Sequence, residues 1–130
     1  MNKITTFLIT VLIASFSSCA SSSTNGKLIT MNVQDFEKAI SVNQTQLVDV
    51  RTAAEYAQGH IDKSINIDVT QAGFLEQAKA KLNKEKPVYV YCHSGRRSLG
   101  AAKILAKAGF DVYDLSGGIQ NWTVQGKPVK

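Results

Sequence analysis

The apolar and polar positions of this chain predict short strands separated by helices. Four runs rich in β-branched or aromatic residues are typical of strands, and a shorter run has the same character. They cover residues 27–31, 46–50, 87–91 and 111–115, with the shorter run at 64–67. The run Val88-Tyr89-Val90-Tyr91 is apolar on both sides, which favours a central strand covered on two faces.

The clearest helical pattern covers residues 98–108 and ends at Gly109. Lysines occupy one face, and apolar side chains recur on the other. The apolar positions are Ala101, Ile104, Leu105 and Ala108. Because parallel neighbours need long crossovers, strands separated by helices predict a mainly parallel sheet. The expected fold class is therefore α/β, with a central five-stranded sheet and helices on both faces in three layers.

An uncharged apolar run over residues 4–16 follows the single basic residue Lys3. As a helix it would reach about 20 Å, short of the roughly 30 Å hydrocarbon core, so an export signal is favoured over a permanent span. A buried N-terminal helix is the alternative, but the run contains three threonines and no amphipathic pattern. We predict a signal peptide at 1–18, a flexible tether at 19–26 and one folded domain at 27–130.

The end of the signal has two interpretations. Phe16-Ser17-Ser18-Cys19 is similar to a bacterial lipobox, in which Cys19 becomes the lipidated first residue, although Phe16 stands where leucine is usual. Ser18-Cys19-Ala20 would instead suit ordinary signal peptidase and leave a soluble periplasmic protein. We expect lipidation at Cys19, with the domain anchored in the cell envelope and facing the periplasm.

Composition narrows the class of protein further. With 130 residues, 44% hydrophobic, and two cysteines, the chain fits one domain with an apolar core rather than a disordered or disulfide-stapled chain. The net charge of +5 is mild. Lys79, Lys81, Lys84 and Lys86 cluster near a predicted helix end, where a solvated face favoured by the helix dipole or an anionic partner would explain them. No nucleic-acid motif accompanies them, so we expect no binding to nucleic acid. We also expect a monomer.

The candidate chemistry lies in the loop Cys92-His93-Ser94-Gly95-Arg96-Arg97-Ser98, between a strand and a helix. Such a turn at the carboxyl end of a parallel strand directs backbone amides and a positive helix terminus at one point. Together with two guanidinium groups, this field would stabilise a Cys92 thiolate and attract an anionic substrate. Gly95 can adopt positive φ, which lets the amides converge. An inert buried cysteine is the alternative, but arginines beside it would be costly to desolvate.

Further motifs occur in order around this loop. They are Leu47-Val48-Asp49-Val50-Arg51, Glu55-Tyr56, Gly59-His60-Ile61, Ile65-Asn66-Ile67 and Gly117-Gly118-Ile119 with Trp122. With these motifs the chain resembles the rhodanese family of single-domain sulfurtransferases over roughly residues 28–128. Lys63 and Ser64 depart from the usual glycine and alanine, and Asn121 departs from a common alanine.

The resemblance implies a reaction. The Cys92 thiolate would take the outer sulfur of thiosulfate or another sulfane donor and pass it from a persulfide to a thiol or cyanide acceptor. Donor and oxyanions would be held by His93, Ser94, Gly95, Arg96, Arg97 and Ser98. Arg97, more than Arg96, would orient the sulfonate. Asp49, Arg51 and Glu55 would support the loop as a buried ion-pair and hydrogen-bond cluster.

Other classes of function are weighed against this reaction. A cysteine-dependent phosphatase carries its loop arginine six positions after the cysteine, whereas Arg97 is at plus five and Ser98 at plus six. A non-catalytic module that binds an anion or a partner would not need Cys92. No metal-ligand spacing occurs, so we expect no metal and no cofactor. We expect His60 to cap or pack, Trp122 to line the core or cleft, and His93 either to assist protonation or to face solvent.

Overall fold

The computed structural model describes residues 25–130, and in this part of the chain five strands form one parallel sheet. The elements are β1 (Leu28–Met31), α1 (Val33–Ile40), β2 (Gln46–Asp49), α2 (Ala53–Gln58), β3 (Ile65–Asn66), α3 (Phe74–Lys81), β4 (Val88–Tyr91), α4 (Arg96–Lys107), β5 (Val112–Leu115) and α5 (Gly118–Val124). The strand order is β1-β5-β4-β2-β3, and every neighbouring pair is parallel. The predicted α/β class, with a parallel five-stranded sheet, is confirmed.

Alternate side chains of the central strand β4 pack into two separate hydrophobic cores, because successive side chains of a strand point to opposite faces of the sheet. Val88 and Val90 pack with the buried side chains of α3 and α4 on one face. Tyr91 packs with those of α1 and α5 on the other face, and Tyr89 lies against the same core. The sheet is therefore covered on both faces, which is the three-layer arrangement expected from the sequence.

Helix α4 differs from its prediction in two respects. It begins at Arg96 rather than at Ser98, because Gly95 adopts a left-handed conformation and turns the chain into the helix immediately. Ile104, expected on the buried face, is 41% exposed. The sheet contacts a narrow stripe of the helix, and the residues buried there are Ser98, Ala101, Ala102, Leu105 and Ala106.

The amino-terminal predictions lie mostly outside the described residues. The signal peptide, Cys19 and all of the tether except Asn25 and Gly26 belong to residues that the structure does not describe. Gly26 is fixed in place: its N–H donates to the carbonyl of Ala106 at 2.7 Å, and a Cβ here would come within 1.8 Å of the Phe110 carbonyl oxygen. Within residues 25–130 we find no helix with the length and apolarity needed to cross a membrane.

Candidate active site

Cys92 directly follows the central strand β4 and is 1% exposed. Its Sγ accepts a hydrogen bond from the Gly95 N–H at 3.1 Å. Gly95 has φ of 99°, the positive value predicted for it, and this left-handed conformation turns the chain from the loop into α4. The turn therefore provides a hydrogen-bond donor to a thiolate or persulfide at this position.

The start of α5 holds the other side of this loop. The N–H of Ile119 donates to the Cys92 carbonyl at 2.9 Å, and that of Gln120 donates to the His93 carbonyl at 3.0 Å. Because a trans peptide points its N–H opposite to its C=O, the amides that follow these carbonyls point away from α5. A Cβ on Gly118 would come within 2.4 Å of the His93 carbonyl oxygen, so this close approach requires glycine. The sequence motif identified Gly118 without explaining its role.

A partly exposed ion pair joins the loop to α2. The Arg97 guanidinium donates to both carboxylate oxygens of Glu55, at 2.7 and 2.9 Å, and the two side chains are 33% and 32% exposed. The hydrogen bonds from Arg97, opposed by burial and aided by Thr52, lower the pKa of Glu55 to about 2. Glu55 is therefore ionised at any pH at which the protein would work, and it neutralises Arg97.

A second, buried ion pair holds the chain after β2. Arg51 Nη2 lies 2.6 Å from Asp49 Oδ2, and the side chains are 7% and 0% exposed. Arg51 also donates to the carbonyl of Gly59 at 2.6 Å. The prediction that Asp49, Arg51 and Glu55 form one buried cluster is wrong for Glu55. That side chain is only partly buried, and its carboxylate accepts hydrogen bonds from Arg97 and Thr52.

A cavity of about 450 Å³ opens between α2 and the loop. It is lined by Arg51, Glu55, Gln58, Gly59, His93 and Arg97. Arg96 is exposed outside this lining, whereas Ser98 is fully buried and its hydroxyl donates to the Gly95 carbonyl at 3.3 Å. Of the predicted loop residues, His93 and Arg97 therefore face the cavity, and the hydroxyl of Ser98 serves the loop itself.

The expectations for His60 and Trp122 agree with the contacts of their side chains. His60 stacks on Tyr56 with ring centroids 3.8 Å apart, and its Nδ1 lies 2.9 Å from the Tyr56 carbonyl oxygen. Trp122 is buried, and its Nε1 donates to the Pro128 carbonyl at 2.9 Å. Both residues pack. Among residues 25–130 no group of His, Cys, Asp and Glu side chains is arranged to hold a metal ion.

Asp114 is a buried acid that the sequence reasoning missed. It is 2% exposed, and its Oδ1 has no hydrogen-bond partner. Burial raises the pKa of Asp114 to about 6, with the Ser98 hydroxyl opposing the shift. The alternation of β5 could have revealed it, because Asp114 lies two residues after the buried Val112 and shares its face of the sheet.

Known proteins resemble this chain in both sequence and structure. The uncharacterized protein YqhL of Bacillus subtilis is 41% identical over 80 residues, which are 61% of this chain and 61% of YqhL. Thiosulfate sulfurtransferase 16, chloroplastic, of Arabidopsis thaliana is 37% identical over 93 residues, which cover 64% of this chain and 78% of that protein. A rhodanese-related protein from Thermoplasma volcanium superimposes with a TM-score of 0.70 at 33% identity, covering 78% of this chain and 97% of the other.

The family model described as Rhodanese-like domain matches residues 32–125. This range contains the Cys92 loop, both ion pairs and the Gly117-Gly118 turn. The chain therefore belongs to the rhodanese-like domain family.

Proposed function

We propose that the protein is a sulfurtransferase that moves sulfane sulfur from thiosulfate or a persulfide donor to a thiophilic acceptor through a Cys92 persulfide. The observation that carries this proposal is the Gly95 N–H placed 3.1 Å from Cys92 Sγ at the end of the central strand. A hydrogen-bond donor fixed at this distance stabilises an anionic sulfur before and after sulfur transfer. The Arabidopsis thaliana relative named a thiosulfate sulfurtransferase gives further support.

Two displacements at sulfur make up the reaction. The Cys92 thiolate attacks the outer sulfur of thiosulfate, the new Sγ–S bond forms, and the donor S–S bond breaks. Sulfite leaves with the electron pair of that bond, and a persulfide remains on Cys92. Cyanide or a thiolate then attacks the outer persulfide sulfur, forms thiocyanate or a new persulfide, and returns the electron pair to Cys92. No external oxidant, reductant or general base is needed if the thiol is already ionised.

Arg97 is the guanidinium that we assign to the anionic donor. It faces the cavity and can present two parallel N–H groups to a sulfonate. Glu55 already accepts from Nη1 and Nη2 of this guanidinium, so thiosulfate competes with the carboxylate for these two donors. Arg96, exposed and outside the cavity lining, adds positive charge nearby without a fixed geometry.

The length of the loop distinguishes sulfur transfer from phosphate hydrolysis. Arg97 at plus five is paired with Glu55, and Ser98 at plus six is buried with its hydroxyl on the Gly95 carbonyl. Neither residue surrounds a tetrahedral oxyanion as the arginine of a phosphatase loop must. A non-catalytic binding module is the other alternative. The intact Cys92, whose Sγ accepts a hydrogen bond from the Gly95 N–H, argues against it.

Thiocyanate formation from thiosulfate and cyanide tests the proposal. The full chain is expected to turn over, and Cys92→Ser to be inactive. Cys19→Ala, which removes the other cysteine of the chain, is the matched control and keeps the activity. Absence of turnover with thiosulfate and with persulfide donors favours the binding module. Cys92-dependent hydrolysis of an aryl phosphate instead assigns the site to a phosphatase.

We also propose that the protein is exported and anchored by a lipid on Cys19. The apolar run over residues 4–16 and the lipobox-like Phe16-Ser17-Ser18-Cys19 support this localisation. Labelled fatty acid is expected in the wild type and absent from Cys19→Ala. Label retained in that variant, or an unlabelled protein recovered in soluble form, contradicts the anchor.

A further inference from the structure

Seven exposed lysines lie at the amino edge of the sheet, opposite the edge that carries Cys92. This edge is formed by the last turns of α1, α3 and α4 and by the loops before β1 and β4, because helices that connect parallel strands run back toward it. The lysines are Lys27, Lys38, Lys79, Lys81, Lys84, Lys86 and Lys107. We refer to this set as the lysine face. None of them belongs to an ion pair within residues 25–130.

The lysine face holds the whole net positive charge of the described chain. Three acids, Glu37, Glu85 and Asp111, share this edge; Glu37 is paired with Lys127, and Asp111 accepts a hydrogen bond from the Lys27 backbone N–H at 2.8 Å. The face therefore has a net charge of +4, whereas the seven cations and seven acids elsewhere in residues 25–130 cancel. This asymmetry extends the sequence cluster at 79–86, because α1, α4 and the loop before β1 contribute three further lysines to the same edge.

The two edges also differ in the kind of cation that they present. All three arginines, Arg51, Arg96 and Arg97, lie at the catalytic edge, and the lysine face has none. Arginine recognises planar or tetrahedral oxyanions through a fixed fork, whereas lysine is a mobile point charge on an apolar stem. Seven such charges suit a broad anionic surface more than one small ligand. An exposed apolar patch adjoins them, because Val42 is 66% exposed and lines a cavity of about 420 Å³ together with Lys86 and Pro87.

The chain enters the domain at this same edge. The Gly26 amide is bonded to Ala106 in the last turn of α4, and Lys27 follows it. Residues 4–16, the uncharged apolar run, therefore connect to the lysine face and not to the catalytic edge. From residue 19 to Gly26 the chain can span at most about 25 Å. A membrane-bound amino terminus would hold the lysine face within a few Debye lengths of the bilayer, since one Debye length is about 8 Å at physiological ionic strength.

We propose that the lysine face docks on an anionic lipid bilayer and turns the Cys92 site away from the membrane. In this orientation the amino edge of the sheet contacts the lipid headgroups and the carboxyl edge faces water. Donor and acceptor would then reach Cys92 from the aqueous phase even when the protein is membrane-bound. This inference rests on the proposed membrane attachment of the amino terminus and not on the sulfurtransferase activity, because it uses only residues outside the active site.

Vesicle partitioning of the full chain tests the docking. The amino-terminal apolar run, or the Cys19 lipid that replaces it after processing, can bind any bilayer, so the informative quantity is the ratio of partition coefficients for phosphatidylglycerol-containing and pure phosphatidylcholine vesicles. The wild type is expected to prefer the anionic vesicles, with a preference that falls as salt rises. Lys81→Gln/Lys86→Gln is expected to reduce the ratio by about tenfold or more, because each lysine near an anionic surface contributes about fivefold.

The matched control removes two charges elsewhere. Lys63→Gln/Lys130→Gln has the same net charge, and Lys130 lies near the catalytic edge because its N–H donates to the carbonyl of His60, next to the cavity residue Gly59. This control is expected to change the ratio less than about twofold. Equal losses in the two double variants, or equal wild-type binding to both vesicles, overturns the proposal. Tighter binding to duplex DNA than to anionic vesicles would assign the face to nucleic acid and overturn it as well.

Discussion

Two carboxylate–guanidinium pairs support the active site with nearly the same closest N···O distance but in different surroundings. Asp49 and Arg51 approach to 2.6 Å with side chains 0% and 7% exposed. Glu55 and Arg97 approach to 2.7 Å with side chains 32% and 33% exposed. The first pair stays within one turn of the chain after β2, whereas the second links α2 to the catalytic loop.

Burial determines what each pair can do. Removing one member of a buried pair leaves a charge without water or partner, so the pair is costly to break. A pair in contact with water contributes only about 0.2–1 kcal/mol, because solvent replaces either partner. The Asp49–Arg51 pair is therefore part of the scaffold, and the Glu55–Arg97 pair can open when an anion competes for the arginine.

Arg51→Ala leaves the fully buried Asp49 carboxylate without its partner. We expect the free energy of unfolding to fall by about 3–5 kcal/mol, measured by urea denaturation. The double variant Asp49→Leu/Arg51→Met removes both charges and is expected to recover most of this loss. A loss below about 1 kcal/mol in Arg51→Ala would place this pair in the same class as the exposed one.

Asp114→Asn measures how much free energy of unfolding is lost when a buried carboxyl group ionises without an arginine partner. The folded-state pKa of Asp114 is raised from 3.8 to about 6, so the folded protein holds this proton more tightly than the unfolded chain does. The resulting stability is present below pH 4 and is lost as pH rises through 6. Relative to the variant, the wild type is expected to lose about 2 kcal/mol between pH 4 and pH 7.

If the free energy of unfolding changes with pH by the same amount in the wild type and in Asp114→Asn across this range, the raised pKa of Asp114 is contradicted. The comparison with the variant is needed because the Glu55 carboxyl, with its pKa lowered to about 2, acts in the opposite direction at acid pH. Its contribution is present in both proteins and cancels in the difference.

Arg97→Ala removes the guanidinium that faces the cavity. We expect the KM for thiosulfate to rise about tenfold, because a charge-assisted pair of hydrogen bonds to the donor is lost. An uncharged persulfide donor should show a much smaller change. Arg96→Ala, next to it but outside the cavity lining, is the matched control and should have a weaker effect. Equal effects of Arg97→Ala on both donors refute the orienting role.

Glu55→Gln removes the carboxylate that competes with the donor for Arg97. We expect the KM for thiosulfate to fall by at most about fivefold, the equivalent of an exposed ion pair. The free energy of unfolding should change by less than about 1 kcal/mol. A rise in KM comparable to that of Arg97→Ala would instead mean that Glu55 holds Arg97 in the binding geometry.

The sequence predicted the parts of this protein that depend on local pattern. The run Val88-Tyr89-Val90-Tyr91, apolar on both sides, identified the central strand, and the position of Cys92 after it placed the loop at the carboxyl edge. Gly95 was expected to have positive φ, and it does. Each of these features follows from residues that are close together along the chain.

Features that depend on long-range packing were harder to predict. Glu55 and Arg97 are 42 positions apart, and nothing local distinguishes Arg97 from Arg51 as the partner of that carboxylate. The exposure of Ile104 depends on how α4 is rotated against the sheet. The lysine face brings together residues from distant segments, so only the stretch from Lys79 to Lys86 was visible as a cluster.

The most direct test of the central claim is the intact mass of the protein after incubation with thiosulfate. We predict that the wild type gains one sulfur atom, that the gain maps to the peptide containing Cys92, and that cyanide removes it. Cys19→Ala should gain the same sulfur, and Cys92→Ser should gain none. A wild type whose mass does not change, or a Cys92→Ser variant that gains sulfur like the wild type, would contradict transfer through Cys92.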